Sequence, residues 1–203
     1  MIGNLLQQTS EWVTRLVWVN LLWLLFIGAG LGVFGFMPAT IALFTITRKW
    51  SMGDFDISPW KIFKETFKKE FLRGNLAGVI FIFLGLFIYF DLKVAEMMTG
   101  IFSIFLYVFF LFLALVLLFT LIYFFPLYVH YHLSMKDYFK QAFIYSIVSP
   151  TTTLLMIAGL FCIGYLIYHL PGLIPFISGV LVAYWIINVC MKRFRRLEEA
   201  ASL

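Results

Sequence analysis

The chain has 203 residues, of which 63% are hydrophobic, 20% are aromatic and only 12% are charged, and its mean hydropathy is +0.99. Soluble globular proteins carry about 25% charged residues, so this composition excludes a water-soluble domain and indicates a polytopic membrane protein. The formal net charge is +5. Because most of the positive residues flank apolar segments, membrane topology explains them, and nucleic-acid binding is not expected.

The apolar segments predict an all-α fold, a polytopic helix bundle that forms a single membrane domain with about five transmembrane helices. The clearest segment, residues 101–133, contains no Asp, Glu, Lys or Arg. It exceeds the roughly 20 apolar residues that cross a hydrocarbon core of about 30 Å. The first span ends near a break at Pro38, and the helix is expected to resume from Thr40 to Thr47. The predicted spans are residues 16–37, 75–92, 101–129, 151–168 and 173–191.

The distribution of Lys and Arg predicts the orientation, because positive residues favour the cytoplasmic side of a membrane protein. Most of them lie between residues 48 and 74, between the third and fourth spans, and in the C-terminal tail, whereas Arg15 and Lys93 fall on the other side. We therefore expect a protein of the bacterial plasma membrane, with its C-terminus in the cytoplasm and its N-terminus outside. If the Gly-rich end of the first span is re-entrant instead, the N-terminus moves inside and four full crossings remain.

Residues 59–73 predict an amphipathic helix on the cytoplasmic side. Ser58 and Pro59 are typical of a helix start, because a hydroxyl caps the first turn and proline fits the first helical position. Aromatic residues then fall on one narrow stripe with lysines around it, which suits a helix in the plane of the lipid headgroups. Docking on the cytoplasmic surface of a partner protein is the competing interpretation. The predicted membrane-surface or partner-contact residues are Trp60, Lys61, Phe63, Lys64, Phe67, Lys68, Lys69 and Phe71.

Two further patterns predict local structure. Ser134 followed by Asp137 resembles a capping box, so a second cytoplasmic helix is expected to begin there and to end before Pro150. Polar residues inside the spans are expected to form hydrogen bonds between helices; they are Asn20, Asn188, Thr151, Thr152 and Thr153.

A cluster of glycines, Gly28, Gly30, Gly32 and Gly35, lies just before Pro38. Small residues let helices approach closely, either within the chain or between copies of a homo-oligomer. Together with the proline they are also able to unwind the first span and to expose backbone groups to a ligand at membrane depth.

No residue pattern predicts catalysis or a metal site. His130 and His132 are two residues apart and lie on different faces of a helix, unlike the i, i+4 pair of a metal site. Cys162 and Cys190 form no CxxC motif. We therefore predict a protein that is not an enzyme, with no catalytic residues, no metal and no cofactor.

Residues 32–44, Gly-Val-Phe-Gly-Phe-Met-Pro-Ala-Thr-Ile-Ala-Leu-Phe, resemble the first-span signature of the YesL-like family of bacterial membrane proteins. The resemblance covers nearly the whole chain and includes Gly53-Asp54 and the Ser-Pro-Thr-Thr element at residues 149–152. The residues expected to have family-signature or structural roles are Gly32, Gly35, Pro38, Thr40, Arg48, Lys49, Trp50, Phe67, Asn75 and Pro150.

The resemblance implies a protein of roughly five spans from an uncharacterised family found mainly in Gram-positive bacteria. Family members tend to be encoded beside carbohydrate ABC-transport components and sensor systems. This implies an accessory or regulatory role in carbohydrate uptake, with permease or sensor-kinase subunits as partners and the lipid bilayer as surroundings. The alternative is a small homo-oligomeric transporter or channel for a carbohydrate or another small solute, with the broken first span at its centre.

Overall fold

The computed structural model describes the backbone of residues 2–201 and the side chains of residues 10–196. This part of the chain contains seven α-helices and one short 3₁₀ turn, Pro171–Leu173. The helices are α1 Ile2–Ala29, α2 Val33–Ser51, α3 Pro59–Met97, α4 Ile101–His130, α5 Met135–Val148, α6 Pro150–His169 and α7 Ile174–Ala201. The predicted all-α fold class is confirmed.

Five segments are long and apolar enough to cross a membrane, which agrees with the number expected from the sequence. They are Ser10–Ala29, Pro59–Met97, Ile101–His130, Pro150–His169 and Pro171–Arg196. Within the described residues, α2 does not meet this criterion, yet it is the most enclosed helix, with 12 of its 19 residues buried. It packs against α1, α3, α4 and α7. Because other helices rather than lipid cover α2, its surface does not have to be uniformly apolar.

The segment predicted as the first span, residues 16–37, is divided in the structure. Helix α1 ends at Ala29, and α2 begins at Val33 and continues through Pro38. The chain turns at residues 30–32, where Leu31 has φ 58° and Gly32 has φ 76°. Glycine adopts positive φ without a steric penalty, which suits Gly32, whereas Leu31 is a non-glycine residue at positive φ; the turn therefore forms at residues 30–32 and not at the proline. The expected break at Pro38 is therefore replaced by a break at Gly30–Gly32.

Helices α1 and α2 form an antiparallel hairpin around this turn. The Trp23 indole N–H donates to the Thr40 hydroxyl at 3.2 Å, and farther from the turn the rings of Trp12 and Trp50 are 6.0 Å apart. Arg15, at 3.5 Å, donates to the carbonyl oxygen of Phe55, which follows α2. The described start of α1 thus lies at the same end of the bundle as the connection between α2 and α3. This differs from the expected placement of the N-terminus on the opposite side, and the re-entrant alternative with four full crossings stays a prediction.

Helix α3 joins two elements that were predicted separately, the amphipathic helix at residues 59–73 and the span at 75–92. The 39-residue helix passes through Gly74 without a break. The missing side chain leaves room for α2, because a Cβ at Gly74 would lie 3.0 Å from Ile41 Cδ1 and 3.5 Å from the Pro38 nitrogen. Glycine at residue 74 therefore allows close packing instead of ending the helix.

Helix α5 begins and ends as the sequence predicts. The Ser134 hydroxyl accepts a hydrogen bond from the Asp137 N–H at 3.3 Å and donates to the Asp137 carboxylate at 2.6 Å. The helix ends at Val148, before Pro150. Tyr138 on one face is buried, whereas Ile147 on another is 54% exposed. An exposed apolar face suits a helix that lies along the membrane surface.

Candidate functional site: the basic end of the bundle

Hydrogen bonds join the ends of three helices at the end of the bundle where the Lys and Arg residues gather, called the basic end below. Arg48 Nε donates to His130 Nδ1 at 3.2 Å and links α2 to α4. The Ser51 hydroxyl donates to Asn188 Oδ1 at 2.9 Å and links α2 to α7. The His130 ring also stacks on Phe194, with the ring centroids 5.2 Å apart. Arg48, predicted as a signature residue, therefore holds the end of the central helix against its neighbours.

A buried carboxylate joins α3 to α4 at the same end. Glu70 is 9% exposed, and its Oε2 accepts a hydrogen bond from the Tyr128 hydroxyl at 2.5 Å. The ring of Tyr128 lies 4.7 Å from that of Tyr138 on α5. Tyr138 in turn donates to the Tyr131 carbonyl oxygen at 2.6 Å and accepts from the Leu133 N–H at 3.1 Å. These bonds fix the connection between α4 and α5, so the surface at this end is built on a rigid base.

The aromatic stripe predicted on residues 59–73 packs against α1. The Phe26 ring lies 5.5 Å from that of Phe63 and 5.2 Å from that of Phe67, and it lies 5.7 Å from Trp60. Phe63 is 0% exposed, so it contacts neither lipid nor a partner protein in this structure. The apolar face of this segment is thus covered in part by the protein's own first helix, and its contact with a membrane surface or a partner stays a prediction. Trp60 remains 47% exposed.

The lysines of the same segment lie on the outside. Lys61, Lys64, Lys68 and Lys69 are all exposed. Lys61, Lys64 and Lys68 are spaced by three and four residues and therefore share one side of the helix. Lys69 Nζ is 3.9 Å from Glu70 Oε1, a distance at which an exposed ion pair contributes little. These four lysines form a cationic surface, called the lysine face below.

The remaining predicted signature residues have structural contacts. A Cβ at Gly35 would overlap the backbone of Phe26 and Ile27, so this glycine sets the closest approach of α1 and α2. Gly32 supplies the positive φ of the turn, and Pro38 and Pro150 lie in α2 and at the start of α6. Among the side chains that pack inside the bundle, Trp50 is 3% exposed, Phe67 packs on Phe26, and the Thr40 hydroxyl accepts from Trp23. Lys49 pairs with Asp54 at 3.2 Å, and Asn75 donates to the Phe71 carbonyl oxygen at 2.7 Å.

Predicted interhelical hydrogen bonds are confirmed at three of the polar positions inside the spans. Asn20 is fully buried, donates to the Pro175 carbonyl at 2.7 Å and accepts from the Val180 N–H at 3.0 Å. Asn188 bonds Ser51, as described above, and the hydroxyl of Thr153 lies 3.0 Å from that of Tyr123. The Tyr128–Glu70 bond has no signal in the sequence, because its partners are 58 residues apart.

The described residues contain no group of three or more His, Cys, Asp or Glu side chains that could hold a metal ion. His130 contacts Arg48 and Phe194, and His132 is exposed. The two histidines therefore do not face a common site.

Five apolar candidate spans around an enclosed helix, with polar links at one end, define a multi-pass α-helical membrane protein. Nearly full-length similarity then gives the family. The chain is 33% identical to the uncharacterized protein YesL of Bacillus subtilis strain 168, over 98% of the chain and 93% of the relative. It is 35% identical to the uncharacterized protein YteU of the same strain, over 98% of the chain and 88% of the relative. It is 36% identical to the uncharacterized protein YesV, also of that strain, over 97% of the chain and 95% of the relative.

The family model described as a protein of unknown function, DUF624, matches residues 16–92. The chain belongs to this family, and the resemblance found in its sequence is confirmed. No solved structure matches the chain.

Proposed function

We propose that this protein is a non-enzymatic accessory protein of the bacterial plasma membrane that binds a transport or sensor complex through the lysine face. The observation that carries the proposal is the burial of Phe63 and the packing of Phe67 beneath that face, both against Phe26. These contacts hold the helix that carries the lysines in place before any partner arrives. A preorganised surface loses less conformational entropy on binding than a flexible one.

The proposed orientation puts the lysine face in the cytoplasm. Arg15 contacts Phe55, so it lies with the Lys and Arg residues of the connection that follows α2 and not on the other side with Lys93. Positive residues near the ends of spans favour the cytoplasmic side. In this orientation the C-terminal end of α7 is cytoplasmic, as the sequence predicts, and the described start of α1 lies on the same side.

The proposed partner is a permease or sensor-kinase subunit of a carbohydrate ABC-type uptake system. Its identity rests on what the resemblance to the YesL-like family implies. The chemistry of the lysine face adds that the contacted surface is acidic, because complementary charge steers association and suppresses wrong partners.

Affinity purification tests this proposal. The tagged protein is isolated in mild detergent from cells grown on an oligosaccharide, and the variant K61E/K64E/K68E is compared with Lys93→Glu. Lys93 lies at the opposite end of α3, where it pairs with Glu96 at 2.7 Å, so its reversal controls for a charge change on the same helix away from the lysine face. We expect permease or kinase subunits with the wild type and with Lys93→Glu, and at least a tenfold smaller yield with the triple variant.

Two results would overturn the proposal. Isolation of the wild-type protein alone, even after crosslinking, would show that it has no such partner. Recovery of the partner subunits in equal yield with the triple variant and with the wild type would show that the lysine face is not the contact surface.

Transport by this protein alone is the competing outcome. The cavity of about 360 Å³ beside α2 is almost wholly apolar, with Thr40 and Ser178 as its hydroxyl groups. Their hydroxyls already donate to the carbonyl oxygens of Phe36 and Ile174. A sugar needs free polar groups, so this cavity does not favour a carbohydrate path. Sugar flux into proteoliposomes that contain only this protein would favour the transporter instead.

A further inference from the structure

A second pocket, of about 360 Å³, opens at the basic end between the start of α6 and the end of α7. It is separate from the lysine face on α3, so it does not depend on the function proposed above. Its lining includes three cations, Lys192, Arg193 and Arg196. Among the residues that the structure describes, none of those lining the pocket is acidic.

The three cations are crowded on one side of α7. Arg196 follows Lys192 by four residues and Arg193 by three, spacings at which like charges on a helix repel each other. None of the ion pairs found among the described side chains involves these residues. Arg193 Nε is buried and has no hydrogen-bond partner in this part of the chain. A buried donor without a partner is costly, so a negative charge held in the pocket next to this guanidinium stabilises it.

The start of α6 adds to the positive potential of the pocket. Ser149 precedes the helix and makes no side-chain capping bond, and Pro150 is the first helical residue. Thr151 and Thr152 follow it and line the pocket. Their N–H groups belong to the first turn, which has no acceptor within the helix and carries the positive end of the helix dipole. Cationic side chains and a helix start therefore face the same space, a combination that suits a phosphate group.

The other side of the pocket is apolar and continues toward the membrane. Leu155 and Trp185 are 52% and 38% exposed and line this side with Val189. The Trp185 indole N–H donates to the Leu155 carbonyl oxygen at 3.2 Å, which fixes the ring. Tryptophan is enriched at the membrane–water interface, and basic pockets between helices on the cytoplasmic side bind anionic headgroups. A soluble anion alone would leave this apolar wall without a function.

We infer that the pocket lined by Arg193, Arg196 and the start of α6 binds the phosphate group of an anionic phospholipid. The guanidinium groups donate to the phosphate oxygens, and the acyl chains lie along the exposed side chains of Leu155 and Trp185. Arginine is suited to this role because its planar donors match two phosphate oxygens at once.

Lipid binding to the full-length protein, delipidated in detergent, tests the inference by native mass spectrometry. The probes are phosphatidylglycerol, phosphatidylcholine and inorganic phosphate. We expect phosphatidylglycerol to bind at least tenfold more tightly than phosphatidylcholine, and the variant R193Q/R196Q to lose that preference. Lys192→Gln, at an exposed position, is the milder variant and should weaken binding severalfold without affecting folding.

The matched control is K136Q/K140Q, which removes two exposed positive charges from α5 at the same end of the bundle. This control should bind phosphatidylglycerol as the wild type does. The site would be overturned if R193Q/R196Q and Lys192→Gln both bound phosphatidylglycerol as tightly as the wild type does. It would also be overturned if the wild type bound phosphatidylglycerol and phosphatidylcholine with equal affinity. Displacement of phosphatidylglycerol by submillimolar inorganic phosphate would overturn the lipid as the source and leave a site for soluble phosphate.

Discussion

Two tryptophan–glycine contacts set the spacing of helices at the level of single residues. The Trp23 ring of α1 packs against Gly179 of α7, and the Trp185 ring of α7 packs against Gly159 of α6. A Cβ at Gly179 would lie 2.6 Å from two carbons of the Trp23 ring. Helices in lipid associate mainly through close packing, so a large ring over a missing side chain contributes directly to their association.

Gly179→Ala is expected to destabilise the protein by about 1–3 kcal/mol, the usual cost of overpacking a well-packed site. The Trp23 ring is not free to move aside, because its N–H is bonded to Thr40. Gly164→Ala in α6 is the control, since the space around Gly164 is open and alanine favours a helix over glycine. Thermal unfolding in detergent checks this prediction. An equal midpoint for Gly179→Ala and the wild type would show that the contact is not tight.

The α1–α2 hairpin is the element that depends most on glycine. A Cβ at Gly35 would lie 2.7 Å from the Phe26 carbonyl oxygen and 2.8 Å from the Ile27 Cα, and backbone atoms cannot yield as a side-chain end does. Gly35→Ala is therefore expected to force the two helices apart near their turn and to lower the unfolding midpoint. Gly28→Ala, in the same helix pair but with open space around it, should leave the midpoint unchanged or raise it.

A crosslink made by a flexible bismaleimide between cysteines that replace Trp12 and Trp50 provides the second measurement for the hairpin. These positions lie far from the turn, and their side chains are in contact in the structure. Crosslinking should be efficient in the parent protein and in Gly28→Ala and should fall in Gly35→Ala. Efficient crosslinking in all three would mean that the hairpin does not need a glycine at residue 35.

The limits of sequence-based prediction are also clear at the level of elements. The apolar runs and the signals at Ser134 and Pro150 place the start of α4 and both ends of α5 correctly, because these signals act locally. The first span contains two competing breakers, the glycine cluster and Pro38. Gly32 supplies the positive φ of the turn, whereas Pro38 stays inside a helix that packs against α3 and α7, and no local pattern records those contacts. For the same reason, the aromatic stripe that includes Phe63 indicates that one face of the helix is apolar, but the sequence does not tell that Phe26 packs against it.

The partners of buried polar residues could not be predicted, although their roles could. Asn20 is a polar residue in an apolar helix, so a hydrogen bond to another helix was to be expected. Its acceptor on Pro175 is 155 residues away, and the fold alone brings the two together. The lining of the pocket between α6 and α7 is another such case, because α6 supplies the helix start and α7 supplies the cations.

Tight packing is unevenly distributed over the whole molecule. Within the described residues, the most apolar 18-residue window of α4 has no buried position, whereas Tyr123, Phe124 and Leu127 near its end are almost fully enclosed. Exposed apolar side chains carry no penalty in lipid, since the acyl chains are as apolar as the residues themselves. The tight packing of α4 is therefore concentrated near its C-terminal end, at the basic end of the bundle, whereas α1 and α7 also pack tightly near the other end, where Asn20 bonds Pro175 and Val180.

At the scale of the whole molecule, the described start of α1 and the end of α7 are expected on the same side of the membrane, and cysteine labelling tests this placement. Single cysteines replace the exposed residues Ser10, Asp54 and Thr99 in a background that carries Cys162→Ser, because Cys162 is exposed and Cys190 is buried. A membrane-impermeant maleimide should label position 99 in intact cells, because this position follows α3 at the end opposite the lysine face. Positions 10 and 54 should react only after permeabilisation, since the contacts of Trp12 with Trp50 and Phe55 keep them on the basic side. Labelling of position 10 in intact cells, with position 54 protected, would separate the start of α1 from the end of α2 and contradict the hairpin.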